Sequence, residues 1–169
     1  MTQPANAALV FAPDLAKMFE ASPANHRAYY GHLNDIMNRS FRADYLGTWA
    51  DHYSRYSTTG GNWGEITSYV TERSAFVRTQ LNTLYPALGF AVSTNGGADF
   101  STPDPQVVLG GSAGLDVRAF RINGGEETVP VTWPTRNTWS ITLPVVAGAN
   151  PFLIEAIGFG GEVVGSDTI

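Results

Sequence analysis

Residues 62–84 (NWGEITSYVTERSAFVRTQLNTL) carry the longest regular pattern in the chain. Asn62 and Glu65 have the spacing of a helix capping box, and Pro86 with Gly89 is typical of a helix end. Between them the apolar residues recur at intervals of three and four, which predicts one amphipathic helix. Its expected apolar face consists of Ile66, Tyr69, Val70, Phe76, Val77, Leu81 and Leu84.

Three shorter helices are predicted before this one. Residues 13–21 can form the first, and Ser22 as N-cap with Pro23 at the first helical position predicts the start of the second. Residues 43–56 predict the third. The apolar residues expected to face inward are Tyr29, Tyr30, Leu33, Ile36 and Met37 in the second helix and Tyr45, Leu46, Trp49 and Tyr53 in the third. Short connections favour antiparallel neighbours, so we expect a small bundle with an aromatic core.

Beyond residue 88 the apolar period changes to two, which is typical of strands. About seven short strands are predicted, beginning at Phe90 and continuing at residues 106–109, 116–122, 129–133, 139–143, 151–157 and 161–164. Asn123-Gly124-Gly125 predicts a tight hairpin turn because both central positions tolerate positive φ. This number of strands and spacing of turns favours a Greek-key β-sandwich. Residues 166–169 are expected to break off within its last strand.

The composition divides at the same place. All seven Tyr precede residue 89, whereas 13 of the 18 Gly follow residue 88. Residues 1–88 contain seven basic and seven acidic residues, and residues 89–169 contain three basic and eight acidic ones. We therefore predict an α+β protein of two modules, a helical bundle segment at 1–88 followed by an antiparallel β-sandwich at 89–169, truncated at its last strand.

Charge and hydropathy exclude some classes of partner. Neither half is basic, so phosphate neutralisation and nucleic-acid binding are not expected. No run approaches the roughly 18 apolar residues of a membrane span. Residues 1–10 lack the basic segment of a signal peptide, so any export signal is expected outside this chain. The chain contains no cysteine, which excludes disulfides, thiol catalysis and cysteine-ligated metal.

The motifs of catalysis are incomplete. Residues 110–114 match G-x-S-x-G, but a predicted strand follows and every histidine precedes them, so we expect Ser112 to be structural. No Gly-rich phosphate loop precedes the single lysine, Lys17. We therefore predict no catalytic residue, no cofactor and no metal site. The histidines lack metal-ligand spacing and are expected on helix surfaces; they are His26, His32 and His52.

Two sets of residues leave ligand binding open. Carboxylates near turns can supply oxygens to calcium, but these lack the order of a dedicated loop, and the alternative is that they are solvated turn residues. They are Asp99, Asp104 and Asp116, with Asn95. Trp133 and Trp139 flank a predicted turn and can either stack on a sugar ring or fill the space between the sheets.

In order along the chain, residues 26–56 and 61–81 resemble the C-terminal helices of the spore-coat CotH kinase-like family. In that family a similar run ends on an arginine-containing helix, and Arg73 in TERSAFVRTQL is the matching position. Residues 98–169 resemble the bacterial Ig-like module often appended to such proteins and are similar in pattern to glucodextranase-B-type domains. This part of the resemblance rests on an NG turn in FRINGGEETVPVTW and a TW strand in TWSITLPVVAGAN.

The resemblance implies a non-catalytic C-terminal fragment of a secreted or cell-surface protein. Residues 1–88 would complete the C-lobe of an atypical kinase, whose core upstream would be the partner, and residues 89–169 would be an Ig-like spacer or attachment module. The nucleotide-binding and catalytic residues of the family lie upstream of these helices, so none is transferred to this chain. The alternative is a module at the cell surface that binds glycan or protein, with Trp133 and Trp139 as ligand-stacking residues.

Overall fold

The computed structural model describes residues 13–58, residue 61 and residues 63–169. The four helices are α1 (Pro13–Glu20), α2 (Pro23–Arg39), α3 (Ala43–Ser54) and α4 (Trp63–Leu84). Each lies within two residues of its predicted bounds, because the apolar period and the proline signals act locally. The predicted cap Asn62 lies outside the described residues. Ser22 precedes α2 in extended conformation, but its side chain makes no capping hydrogen bond.

The prediction that the aromatic residues of α3 face the bundle core is wrong. α3 packs against α4, and its buried residue is Ala50, whereas Tyr45, Trp49 and Tyr53 are exposed. Gly47 lies against Thr67 of α4, close enough that an added Cβ would be in van der Waals contact. Small residues on the inner side of α3 let the two helices approach, and this contact decides which side of α3 faces outward.

The chain after α4 forms two three-stranded antiparallel sheets. The strands are β1 (Ala91–Val92), β2 (Gln106–Ser112), β3 (Ala119–Ile122), β4 (Thr138–Pro144), β5 (Leu153–Ile157) and β6 (Val163–Thr168). The first sheet has the order β1-β2-β4 and the second β3-β5-β6. The structure thus confirms the α+β class, with a helical segment followed by an antiparallel β region.

The segment between β3 and β4 differs from the predicted strand at residues 129–133. Val129 forms a single bridge with Phe120 of one sheet, and Thr132 forms one with Ser140 of the other. The segment crosses between the sheets, so it cannot pair along its length with either. The predicted turn before it is confirmed, with positive φ at Asn123 and Gly124 and a 3.0 Å bond from the Gly125 N–H to the Ile122 carbonyl.

β6 is longer than predicted. The residues expected to break off within a strand belong to it, since Thr168 pairs with Leu153 and Asp167 with Ile154. The Ile169 N–H donates to the Phe152 carbonyl at 3.1 Å, which extends the same pairing.

Two apolar clusters lie among the residues that the structure describes. The larger contains buried residues of both sheets, among them Leu109 and Ile141 of the first and Phe120 and Ile154 of the second. The smaller lies among the helices, and Leu115, which follows β2, is part of it. Among the residues that the structure describes, no helix is both long and apolar enough to cross a bilayer.

Candidate functional site

The helices and the sheets meet at a buried arginine. Arg27 of α2 is 4% exposed, and its guanidinium donates to four backbone carbonyls of the β region. Nη1 bonds to Ala113 O at 3.3 Å and Arg136 O at 2.6 Å, and Nη2 bonds to Gly114 O at 2.5 Å and Val117 O at 3.1 Å. We call these residues, together with His26, Tyr85 and Trp133, the junction.

Among the described residues, the hydrogen-bond acceptors of the Arg27 guanidinium are backbone carbonyls and not carboxylates. Its guanidinium carbon lies 3.7 Å from the centroid of the Trp133 ring, so a π face covers one side, and carbonyl dipoles face the two Nη groups. Burial lowers the pKa of Arg27 to about 10, and Tyr85 and Asp116 act in the opposite direction. Arg27 therefore remains charged at neutral pH. A buried charge without such partners would be strongly unfavourable, so this geometry fixes α2 against the sheets.

Next to Arg27, His26 and Tyr85 form a second buried contact. His26 is 3% exposed, and its Nδ1 shares a hydrogen bond of 2.5 Å with the Tyr85 hydroxyl. The expectation of a surface histidine is thus wrong for His26, because tertiary packing of the segment after α4 covers this side of α2. Burial raises the pKa of Tyr85 to about 12. Burial, and secondly the charge of Arg136, lower the pKa of His26, whereas Glu20 raises it.

The lowered pKa of His26 predicts a loss of stability in mild acid. The unfolded chain binds the proton at the ordinary histidine pKa of about 6.5, before the folded chain does, so the free energy of unfolding falls as pH drops below about 6.5. Urea unfolding at pH 7.5, 6.5 and 5.5 measures this slope. His26→Gln should flatten it, whereas the matched change His52→Gln on α3 should leave it as it is. An equal slope in wild type and His26→Gln would contradict the prediction.

Further contacts connect α2 to the turn between β5 and β6. The ring of Phe159 lies over Gly31, where an added Cβ would overlap it, and its centroid is 4.8 Å from that of His32. Arg39 pairs with Asp35 at 2.6 Å and lies 3.8 Å from Glu162. His32 itself remains exposed, as expected of a surface histidine, and one edge of its ring contacts Phe159.

The two tryptophans proposed for ligand stacking have different surroundings. Trp139 is 1% exposed, lies in the core against Phe90 and Phe120, and donates from Nε1 to the Ser112 carbonyl at 3.0 Å. Its ring faces are covered, so it belongs to the core alternative. Trp133 is half-buried, and Arg27 occupies one face of its ring. Trp139 therefore presents no free platform to a sugar, whereas Trp133 has one ring face occupied by the junction.

The remaining motif residues lie apart from one another. Ser112 ends β2, and its hydroxyl donates to the Gly89 carbonyl at 3.4 Å. Asp116 follows the junction residue Gly114, whereas Asp99 and Asp104 lie in the connection from β1 to β2. Arg73 lies on α4 with its guanidinium carbon 5.3 Å from the Phe76 ring centroid. In the part of the chain that the structure describes, no three His, Asp or Glu side chains converge to hold a metal ion.

A large groove lies at the end of the β region opposite the junction. Its volume is about 1270 Å3, and it lies between the connections at residues 99–105 and 145–151. Val107 and Leu109 of β2 line it, together with Phe152 and Ile169. We call it the end groove. No sequence signal predicted it, since its walls come from connections that are far apart in the chain.

A second feature is the exposed side of α3. Tyr45, Trp49 and Tyr53 are 48%, 46% and 53% exposed. Ring centroids are 6.4 Å apart for Tyr45 and Trp49 and 6.1 Å apart for Trp49 and Tyr53, so the three rings form a continuous row. We call this row the α3 aromatic face. Tyr and Trp are enriched at protein interfaces, where one large ring buries much surface.

No known protein family matches this chain, and neither does any curated protein or solved structure.

Proposed function

We propose that this chain is a non-catalytic C-terminal fragment of a secreted or cell-surface protein. The helical segment serves as a buttress for a larger domain upstream, and the β region, an Ig-like sandwich, spaces or attaches that domain. The α3 aromatic face is the observation that carries this proposal. Contiguous exposed rings of this size are unusual on a free surface and are typical of a contact with another folded body.

The junction supports the same proposal. A spacer must keep a defined orientation between the body that it carries and the point of attachment. Inter-domain contacts within a chain are often polar and allow motion, but here a buried guanidinium with four carbonyl partners joins the helices to the sheets. Both parts are thereby held as one unit.

The occupant proposed for the α3 aromatic face is a kinase-like core that precedes these helices in the same protein. The first test is the nucleotide sequence before the codon for Met1. A reading frame that continues into such a core supports the proposal, and an in-frame stop codon directly before Met1 contradicts it.

A binding experiment tests the surface itself. The upstream core, expressed separately, is titrated with this chain, and Trp49→Ser is expected to weaken binding by about 30-fold or more, as loss of an aromatic hot spot does. The control is Val163→Ser on β6, an apolar side chain with a similar exposed fraction. Equal affinities of wild type and Trp49→Ser would exclude the α3 aromatic face as the contact.

The second candidate function is a binding module at the cell surface, which recognises glycan or protein. The end groove is the observation that favours it, because concave sites with an apolar floor and a polar rim bind ligands. An array of glycans and peptides, screened with the whole chain, tests this candidate. The two candidates use different residues, since α3 contributes none to the end groove, so each site can be varied by itself.

A further inference from the structure

We propose that the end groove binds an extended cationic polypeptide segment, which adds as a strand to the free edge of β2. The proposal rests on the second candidate function and names the class of ligand for that site. Three observations support it. They are the negative charge of the groove, the hydrogen bonds that its amide side chains make within the fold, and the unpaired backbone edge of β2 beside it.

The charge of the groove is of one sign. Asp99 and Asp104 lie on its wall with exposed side chains, and none of the described residues that line it is Lys, Arg or His. Two of the three basic residues of the β region make contacts outside the groove: the backbone carbonyl of Arg136 accepts from Arg27 at the junction, and the Arg121 side chain lies 3.8 Å from Glu155. The complementary ligand therefore carries positive charge.

The groove's amide side chains are already used within the fold. Asn150 accepts from the Val146 N–H and donates to the Val146 and Gly148 carbonyls. Asn123 accepts from the Leu153 N–H and donates to the Pro151 carbonyl. Both amides shape the connections, so much of their hydrogen-bonding capacity is already used within the fold. The charged groups of the groove wall are carboxylates, which favours ammonium or guanidinium groups in the ligand.

The backbone of β2 explains why the ligand is a polypeptide. The Ser93 N–H donates to the Gly110 carbonyl at 2.8 Å, and the Gly110 N–H donates to Thr94 Oγ1 at 2.7 Å. Gly110 therefore points its backbone groups toward the side of β1, and by the two-residue period Val108 does the same. β1 pairs only with Gly111 and Ser112. Among the described residues, no strand continues this pairing along Gln106 to Leu109.

The groove and the free edge are adjacent. The connection at residues 99–105 forms a wall of the groove, and Val107 and Leu109 of β2 form part of its floor. A segment added beside β2 would send alternate side chains toward the same side as Val107 and Leu109. The volume exceeds the range of about 300–1,000 Å3 that is typical of sites for small ligands. A chain that alternates Lys with an apolar residue satisfies both the apolar floor and the acidic wall.

The test is fluorescence anisotropy of the whole chain with a labelled, terminally blocked octapeptide that alternates Lys and Val. Saturable binding is expected. A peptide that alternates Lys and Ser should bind at least tenfold more weakly, and one that alternates Glu and Val should not bind. The double variant Asp99→Asn, Asp104→Asn should weaken binding about tenfold. The control is Glu65→Gln, Glu72→Gln on α4, which removes the same charge from exposed positions in the helical segment.

Hydrogen exchange provides a readout specific to strand addition. The amide of Val108 should exchange at least tenfold more slowly in the complex, because it becomes hydrogen-bonded to the peptide. Equal weakening by the α4 control variant, or an unchanged exchange rate at Val108, overturns the proposal. If neutral oligosaccharides bind the groove and the Lys-Val peptide does not, the proposal fails while the binding-module function stands. If neither binds, both fail.

Discussion

Replacing Arg27 with methionine is expected to lower the free energy of unfolding by about 3–5 kcal/mol. Methionine retains much of the side chain's length but donates no hydrogen bond, so carbonyls at Ala113, Gly114, Val117 and Arg136 lose their charged donor in a buried site. Trp133 also loses the cation over its ring. Urea unfolding followed by far-ultraviolet circular dichroism measures the loss, which corresponds to about 10 °C in Tm for a chain of this size.

Two further variants make this prediction specific. Arg27→Lys keeps the charge but has one ammonium group in place of the planar fork, so it should recover only part of the lost stability. Arg55→Met removes an exposed arginine from the end of α3 and should change stability by less than about 0.5 kcal/mol. A loss below 1 kcal/mol for Arg27→Met would show that the junction does not hold the two segments together.

Trp139→Ala is expected to lower the free energy of unfolding by about 3–5 kcal/mol, the usual cost of truncating a large buried aromatic residue. The ring lies between Phe90 and Phe120 with centroid distances of 5.6 and 4.9 Å. Its removal leaves a cavity between the sheets and removes the Nε1 donor to the Ser112 carbonyl. Thermal unfolding and urea unfolding measure the effect.

The matched control for Trp139→Ala is Trp49→Ala on the α3 aromatic face. This residue is 46% exposed, so its truncation should cost less than about 1 kcal/mol in the isolated chain. Trp139→Phe should fall between the two, since it retains an aromatic ring but loses the Nε1 hydrogen bond. Equal stability of wild type and Trp139→Ala would mean that the ring is not a core element and would restore its interpretation as a ligand-stacking residue.

The contrast between Trp139 and Trp49 shows where sequence patterns fail. The alternation of apolar and polar residues around Trp139 predicted a strand. It did not reveal whether the Trp139 ring lies in the core or contacts a ligand. The spacing of apolar residues by three and four around Trp49 correctly predicted a helix. The side of the helix that carries these residues is nevertheless exposed and does not face the core. Small residues such as Gly47 and Ala50 form the contact with α4 instead. A pattern of hydrophobicity does not reveal how closely two backbones can approach.

Local signals in the sequence determined the four helices, the turn at Asn123-Gly124 and most strand positions, because hydrogen bonds and side-chain periodicity within about ten residues decide them. The junction required the tertiary structure. Arg27 contacts carbonyls that lie 86 to 109 residues away along the chain, and the sequence shows only an arginine beside a histidine. The end groove is likewise formed by connections that are distant in sequence. Its free β2 edge depends on where β1 stops pairing, and only the packing of the whole β region decides that.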